Sequence, residues 1–263
     1  MNSKKITEEL MELCAKNGVK CLYAVESGSR AWGFASPDSD YDIRFIYVRP
    51  QIDYLRIDRP RDVIEHMGKD DLDFVGWDAT KAIKLIAKSN PSIIEWLNTK
   101  DVYYKIESAY RLLQNLSKDY SSSYRLAMHY ISLAKSHDVK YIENHEMVAP
   151  KKYLYALRAL LSVRYVLKHN KPAPLLFADL LSVSGLEGAL NNAVTDLLNI
   201  KSQTNEKQRN AHVKILDNFI DRELDNLSNI AEPNKDEATK QNFVKNIEVA
   251  PEYIDALMSK IGE

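Results

Sequence analysis

The stretch from Glu26 to Val48, ESGSRAWGFASPDSDYDIRFIYV, limits what this chain can become more than any other. A Gly28-Ser29 turn follows a short apolar run, and about ten residues later Asp40-Tyr41-Asp42 opens a run of alternating β-formers. Residues two apart in a strand project from the same face. Asp40, Asp42 and Arg44 should therefore point one way, and Ile43, Phe45 and Tyr47 the other. Neighbouring carboxylates repel unless a cation lies between them. A small Gly-Ser turn offers backbone N–H groups and a hydroxyl to an anion. A divalent ion on one side and phosphate on the other is the layout of a nucleotide-handling site.

The pattern around this stretch is that of a mixed α/β unit. Ile6, Leu10, Leu13 and Cys14 recur at helical spacing, and Asn17-Gly18 ends that helix. Strands are expected over 20–25, 43–48 and 71–77, with a loop over 32–38. Residues 49–66 are expected to be an irregular excursion holding a strand or short helix. Asp78 is placed to cap a helix over 81–88, and Pro91 to start another through Leu97. After about residue 104 the strand-like runs vanish. Amphipathic segments follow at 106–117, 121–137, 150–169, 186–203 and 206–227, with a break at Asn170-Lys-Pro-Ala-Pro. A polar connector from Ala231 leads to a last helix entered at Pro251. The expected fold class is α+β, with an N-terminal domain over 1–103 and an all-helical domain over 104–263.

Lys plus Arg number 36 against 37 for Asp plus Glu, so the whole chain has no basic field and RNA contact would need a local patch. Cys14 and Cys21 have no metal-like spacing and do not suggest a disulfide framework. The charged N-terminus lacks an apolar signal core, and no apolar run nears the roughly 18 residues of a membrane span. The expectation is a cytoplasmic protein with no membrane contact. His66, His129, His137, His145, His169 and His212 are scattered without metal spacing.

A third carboxylate beside Asp40 and Asp42 must come from a neighbouring strand. Asp71 and Asp73 are again two apart. Asp73 is preferred because Phe74, Val75 and Trp77 place it inside a strand, and Asp71 is the reserve. Asp38 reads as a turn residue. Arg30 suits a phosphate contact or an ion pair with Glu26. Arg44 suits a phosphate contact or pairing with the aspartates. Trp32 would stack on a base or plug the sheet edge. The segment 151–171 carries six Lys and Arg and no acidic residue. On a helix Lys151, Tyr155 and Arg158 share one face. A cationic stripe on a largely buried helix needs an anionic partner. That partner is a triphosphate or RNA backbone, or else Glu143, Glu146 or Asp179. Lys152 and Arg158 are the preferred ligand contacts.

Gly-Ser, a spacer and Asp-x-Asp at a strand start resemble the DNA polymerase β-like nucleotidyltransferase superfamily. The spellings GSRAWGFASPDSDYDIRF and GWDATKAIKLIAKSNPSIIEWL resemble a narrower group, the RNA ligase-associated (RlaP-like) predicted nucleotidyltransferases. The likeness is close over the first hundred residues. It is thinner through His129-Tyr130 and the segment 151–158. It implies a mixed sheet with flanking helices, two Mg²⁺ ions (Mn²⁺ as substitute) and a nucleoside triphosphate donor. It also implies that Gly28 and Ser29 hold the β and γ phosphates. Asp40 and Asp42 would bind metal, and Asp73 would serve as base or further ligand. The GWD segment after Asp73 departs from the commonest pattern.

The expected activity is transfer of a nucleoside monophosphate to an acceptor hydroxyl, with release of pyrophosphate. The helical domain is expected to close the cleft and choose the acceptor. The acceptor is open between an RNA end, a small molecule and a protein. Two other readings are a non-catalytic nucleotide sensor or partner-binding module, and a toxin–antitoxin type nucleotidyltransferase.

Overall fold

The computed structural model describes residues 3–203 and 209–231. They form two compact units. Among the described residues, one unit comprises 3–31 with 40–121, and the other 32–39 with 122–203 and 209–231.

The first unit is α+β. Its elements are α1 (Ser3–Lys16), β1 (Lys20–Ser27), α2 (Gly28–Ala31), β2 (Tyr41–Val48), α3 (Gln51–Tyr54) and β3 (Val63–Met67). They continue with β4 (Leu72–Asp78), α4 (Ala79–Ala87), α5 (Pro91–Asn98), β5 (Val102–Lys105) and α6 (Glu107–Tyr120). The sheet runs β3-β4-β2-β1-β5, with β2 parallel to β4 and the other pairs antiparallel. On one face Ile43, Phe45, Tyr47 and Phe74 form a core with Ile6, Leu10 and Leu13 of α1. The other face begins polar, with Asp42 and Arg44 in register with Asp73 and Val75, and ends apolar. There Trp77 stacks on Trp96 of α5 at 4.0 Å, and Tyr23 stacks on Tyr110 of α6 at 4.9 Å. The Tyr23 hydroxyl also donates to the Trp96 carbonyl, 2.8 Å away.

Local signals worked where capping chemistry is short-range. The Asp78 carboxylate accepts from the Thr80 N–H at 2.8 Å and caps α4. Asn90 caps α5, and Pro91 is its first residue. The GWD segment has a packing cause. A Cβ on Gly76 would lie 2.2 Å from the Phe45 ring, its cross-strand partner, so the missing side chain makes room for an aromatic. β5 lies where no strand is expected from the sequence, because Val102 to Lys105 is only four residues long. It pairs with Tyr23 to Val25 of β1, and α6 packs on α4, α5 and β1. The unit therefore runs through Ser121, beyond the boundary expected at 103 and 104.

The second unit is helical apart from one two-residue ladder. It contains α7 (Ser123–Tyr141), β6 (Met147–Val148), α8 (Pro150–His169), α9 (Phe177–Ser182), α10 (Gly188–Gln203), β7 (Asn210–Ala211) and α11 (Lys214–Ala231). β6 and β7 pair, although no strand was expected here. α8 is the central helix, with twelve buried residues along its length. It ends at Asn170 in the left-handed conformation that amide side chains tolerate. Residues 32–39 belong to this unit and not to the sheet. The Phe177 N–H donates to the Trp32 carbonyl at 2.9 Å, and the Phe34 and Phe177 rings meet edge-on at 5.4 Å. The connector after Ala231 and the helix entered at Pro251 lie outside the described residues, as do residues 206–208 of the segment expected over 206–227.

Candidate active site

Two carboxylates meet where β2 and β4 run side by side. Asp42 and Asp73 are register partners, so their side chains leave the sheet on the same face. A single atom joins them. Nη2 of Arg44 lies 2.5 Å from Asp42 Oδ1 and 2.9 Å from Asp73 Oδ2. Nη1 of the same guanidinium donates to the Asp73 carbonyl at 2.8 Å and to the Ile43 carbonyl at 3.3 Å. Of the two roles expected for Arg44, the structure shows pairing with the aspartates. The three side chains keep 16 %, 26 % and 30 % of their surface exposed for Arg44, Asp42 and Asp73, so solvent reaches the cluster.

Gly28 abuts this cluster from β1's end. Its φ of +63° is left-handed, and a Cβ there would stand 2.0 Å from Asp42 Oδ2. Any side chain would displace the carboxylate, which gives this glycine a physical reason independent of phosphate binding. Ser29 opens no surface of its own; it is 4 % exposed within the four-residue α2. Arg30 ties α2 to the start of β2. Its Nε donates to the Asp40 carbonyl at 3.0 Å, and its guanidinium sits 3.8 Å from the Tyr41 ring centre.

Asp40 and Asp71 both lie outside the strands. Asp40 is exposed one residue before β2. Asp71 is exposed in the β3–β4 turn with φ +59°, and its carbonyl accepts from the Tyr41 N–H. Among the described residues, no three His, Cys, Asp or Glu side chains lie close enough to hold a metal ion together. Asp40, Asp42 and Asp73, expected to hold two ions between them, do not form one close group among the described residues. Asp42 and Asp73 converge on a guanidinium instead, and Asp40 precedes the strand whose pleat would have aligned it.

Glu26, expected as an ion-pair partner for Arg30, is the buried carboxylate behind the site. It is 3 % exposed. Oε1 accepts from the Asp42 N–H at 2.9 Å, and Oε2 accepts from the Tyr103 hydroxyl. Burial pushes its carboxyl above the usual range, although the Tyr103 and Asp42 hydrogen bonds pull the other way. The Tyr103 hydroxyl is raised in turn, first by burial and then by its bond to Glu26. Glu26 sits three residues before the Ser29 of the turn, a spacing with no sequence signature of its own.

The family described as RNA repair pathway DNA polymerase beta family matches residues 2–247. The chain belongs to this family. YcgL, an uncharacterized protein of Bacillus subtilis, is 37 % identical over 234 residues, covering 89 % of this chain and 90 % of its own. A solved structure of a nucleotidyltransferase-like protein from Exiguobacterium sibiricum covers 98 % of this chain and 80 % of its own, at 10 % identity and a TM-score of 0.31. As a member of the polymerase β-like nucleotidyltransferases, the chain has a family-implied divalent ion to accommodate. The donor set suits one in chemistry, since Asp42 and Asp73 supply hard carboxylate oxygens. It suits one in place as well, because the position of Arg44 Nη2 shows that one point can be reached by both.

The other expected ligand residues lie in the helical unit. Arg158 is 4 % exposed. Its guanidinium stacks 4.2 Å from the Trp32 ring, and Nη2 contacts the Leu175 carbonyl at 3.5 Å. Trp32 also packs edge-on against Tyr155 at 5.2 Å. Lys152 is half-buried, with its ammonium 3.5 Å from the Tyr141 ring centre. Lys152 and Arg158 of α8 both meet aromatic faces, whose π-electrons attract cations. Among the described residues, no helix is long and apolar enough to cross a membrane.

Proposed function

We propose that the protein is a Mg²⁺-dependent nucleotidyltransferase that moves a nucleoside monophosphate from a nucleoside triphosphate to an acceptor hydroxyl, with an RNA end as the acceptor. The observation that carries this reading is the in-register pair Asp42 and Asp73, whose carboxylates reach a common point beside Gly28. Membership of an RNA repair family supports the choice of acceptor. Asp42 and Asp73 hold the ion, with Asp40 flanking them. When bound, the ion polarises the transferred phosphoryl group and lowers the pKa of the attacking hydroxyl.

The acceptor oxygen forms a bond to the α-phosphorus as the bond from that phosphorus to the bridging oxygen breaks, and pyrophosphate leaves. The hydroxyl proton passes to a site carboxylate, for which Asp73 is our choice. Gly28 and Ser29 present backbone N–H groups to the leaving phosphates, and Arg30 adds positive charge beside them. Glu26 fixes the backbone of Asp42 and so orients its carboxylate. Of the two preferred ligand contacts on α8, we assign an anion contact to Lys152, because Arg158 is almost wholly buried.

Incubation with each labelled triphosphate and total RNA tests the reading. We expect label in RNA with matching pyrophosphate release, and a loss of both on the order of 1,000-fold in Asp42→Asn and Asp73→Asn. Equal labelling by Asp42→Asn would remove the site. Label in protein instead of RNA would move the acceptor and leave the chemistry.

A further inference from the structure

The guanidinium of Arg44 stands where an ion would have to stand. Its Nη2 is within 2.9 Å of a carboxylate oxygen from each strand. Magnesium binds carboxylate oxygen at about 2.0–2.1 Å, so an ion at that point would draw in the Asp42 oxygen by about 0.4 Å and the Asp73 oxygen by about 0.8 Å. Two carboxylates and one guanidinium sum to a charge of −1. Two carboxylates and one divalent ion sum to zero. The exchange therefore removes residual charge from a partly desolvated site. Displacing Nη2 also draws Nη1 off the Asp73 and Ile43 carbonyls, so the planar guanidinium leaves as one group while its side chain stays anchored on β2. The partial exposure of all three side chains lets an ion enter without unfolding.

We propose that Arg44 is a resident cation of this site. It holds Asp42 and Asp73 together in the absence of metal, competes directly with the divalent ion, and swings out when the ion binds. This rests on the reading of Asp42 and Asp73 as the ion's ligands. In the resting protein Arg44 spares the two carboxylates their mutual repulsion, and it lowers the affinity for free metal. The displaced guanidinium is a forked donor suited to a phosphate oxygen. Metal arriving with a triphosphate would find Arg44 a new partner, whereas metal alone would not.

Mn²⁺ binding to the full chain without nucleotide, read by electron paramagnetic resonance, tests this. Arg44→Gln should bind Mn²⁺ on the order of tenfold more tightly than wild type, and Asp42→Asn should lose the site. An Arg44→Gln variant of native circular dichroism that binds no more tightly overturns the proposal while leaving the ligand assignment in place. Wild-type affinity in Asp42→Asn overturns both.

A second measurement needs no neutral variant at this position. In wild type, a Mg²⁺ titration should shift the Asp73 carboxyl carbon signal together with the Arg44 guanidinium nitrogen signal, the latter assigned with Arg44→Lys. A moving Asp73 signal beside an unmoved Arg44 signal refutes displacement. If neither moves, the ion does not reach this site and both readings fall.

Discussion

Two arginines show how differently the two units use a positive charge. Arg44 sits on an accessible sheet face and meets two carboxylates. Arg158 is 4 % exposed on the central helix and meets an indole. A guanidinium stacked on an aromatic face keeps its charge stabilised while its flat surfaces exclude water, so it serves as a core residue. A guanidinium between carboxylates is an exchangeable counter-ion. The sheet unit concentrates charge at a point reachable from solvent, and the helical unit disperses it into packing. Changing Arg44 should act on chemistry with little effect on stability, and changing Arg158 the reverse.

Apart from the loss of Asp42 or Asp73 themselves, the largest effect on the reaction should come from Gly28→Ala. A methyl group 2.0 Å from Asp42 Oδ2 must push the carboxylate aside. A displacement near 1 Å is enough for a roughly 100-fold fall in nucleotidyl transfer, measured with labelled triphosphate. An unchanged rate would separate Gly28 from the site.

Arg158→Ala should instead destabilise the helical unit by about 2–4 kcal/mol through lost packing and cation–π contact. Trp32 fluorescence during urea unfolding would report it, and Arg158→Met should recover part of the loss. If Arg158→Ala abolished nucleotide binding with stability intact, the contrast between the arginines would break.

Gly76→Ala sharpens the comparison from within the sheet. Its Cβ would strike the Phe45 ring on the face opposite Asp42 and Arg44. We expect a loss of about 1–3 kcal/mol in chemical denaturation with Mn²⁺ affinity retained.

The smallest effect concerns pH. Burial, with Asp221, Glu143 and Asp217 adding to it, pushes the Asp138 carboxyl up to about 6. Its folded value exceeds its unfolded one, so its contribution to stability is full below the ordinary carboxylate range and is lost as pH rises through about 6. His212 acts in the same direction. The His145 carbonyl and then Asp217 hold its imidazole above the usual value, and its contribution is lost as pH rises past that raised value. The helical unit should therefore gain on the order of 1 kcal/mol between pH 7 and pH 5. Asp138→Asn should flatten most of that change in thermal melts followed by Trp32 fluorescence.

Most elements were legible because their signals are local. Helical spacing in α1, the Asp78 cap, Pro91 and the alternation of β2 need only a few neighbouring residues. The elements that escaped are short or depend on distant partners. β5 is four residues long and exists by pairing with β1. β6 and β7 are two residues each and lie more than sixty positions apart. Residues 32–39 look like a loop of the sheet by position. They are claimed by the helical unit because Trp32 and Phe34 find aromatic partners there.

The linear order of residues by itself determined that a charged, alternating strand would follow a glycine turn, and which side of that strand would be apolar. Periodicity and turn chemistry act over a few residues, so they survive without a partner. Only the tertiary structure decided that Asp73 rather than Asp71 stands beside Asp42, that Glu26 lies behind them, and that Arg44 closes the gap. Those facts follow from parallel register between strands about thirty residues apart and from the choice of the nearest opposite charge. Neither is written in local spacing.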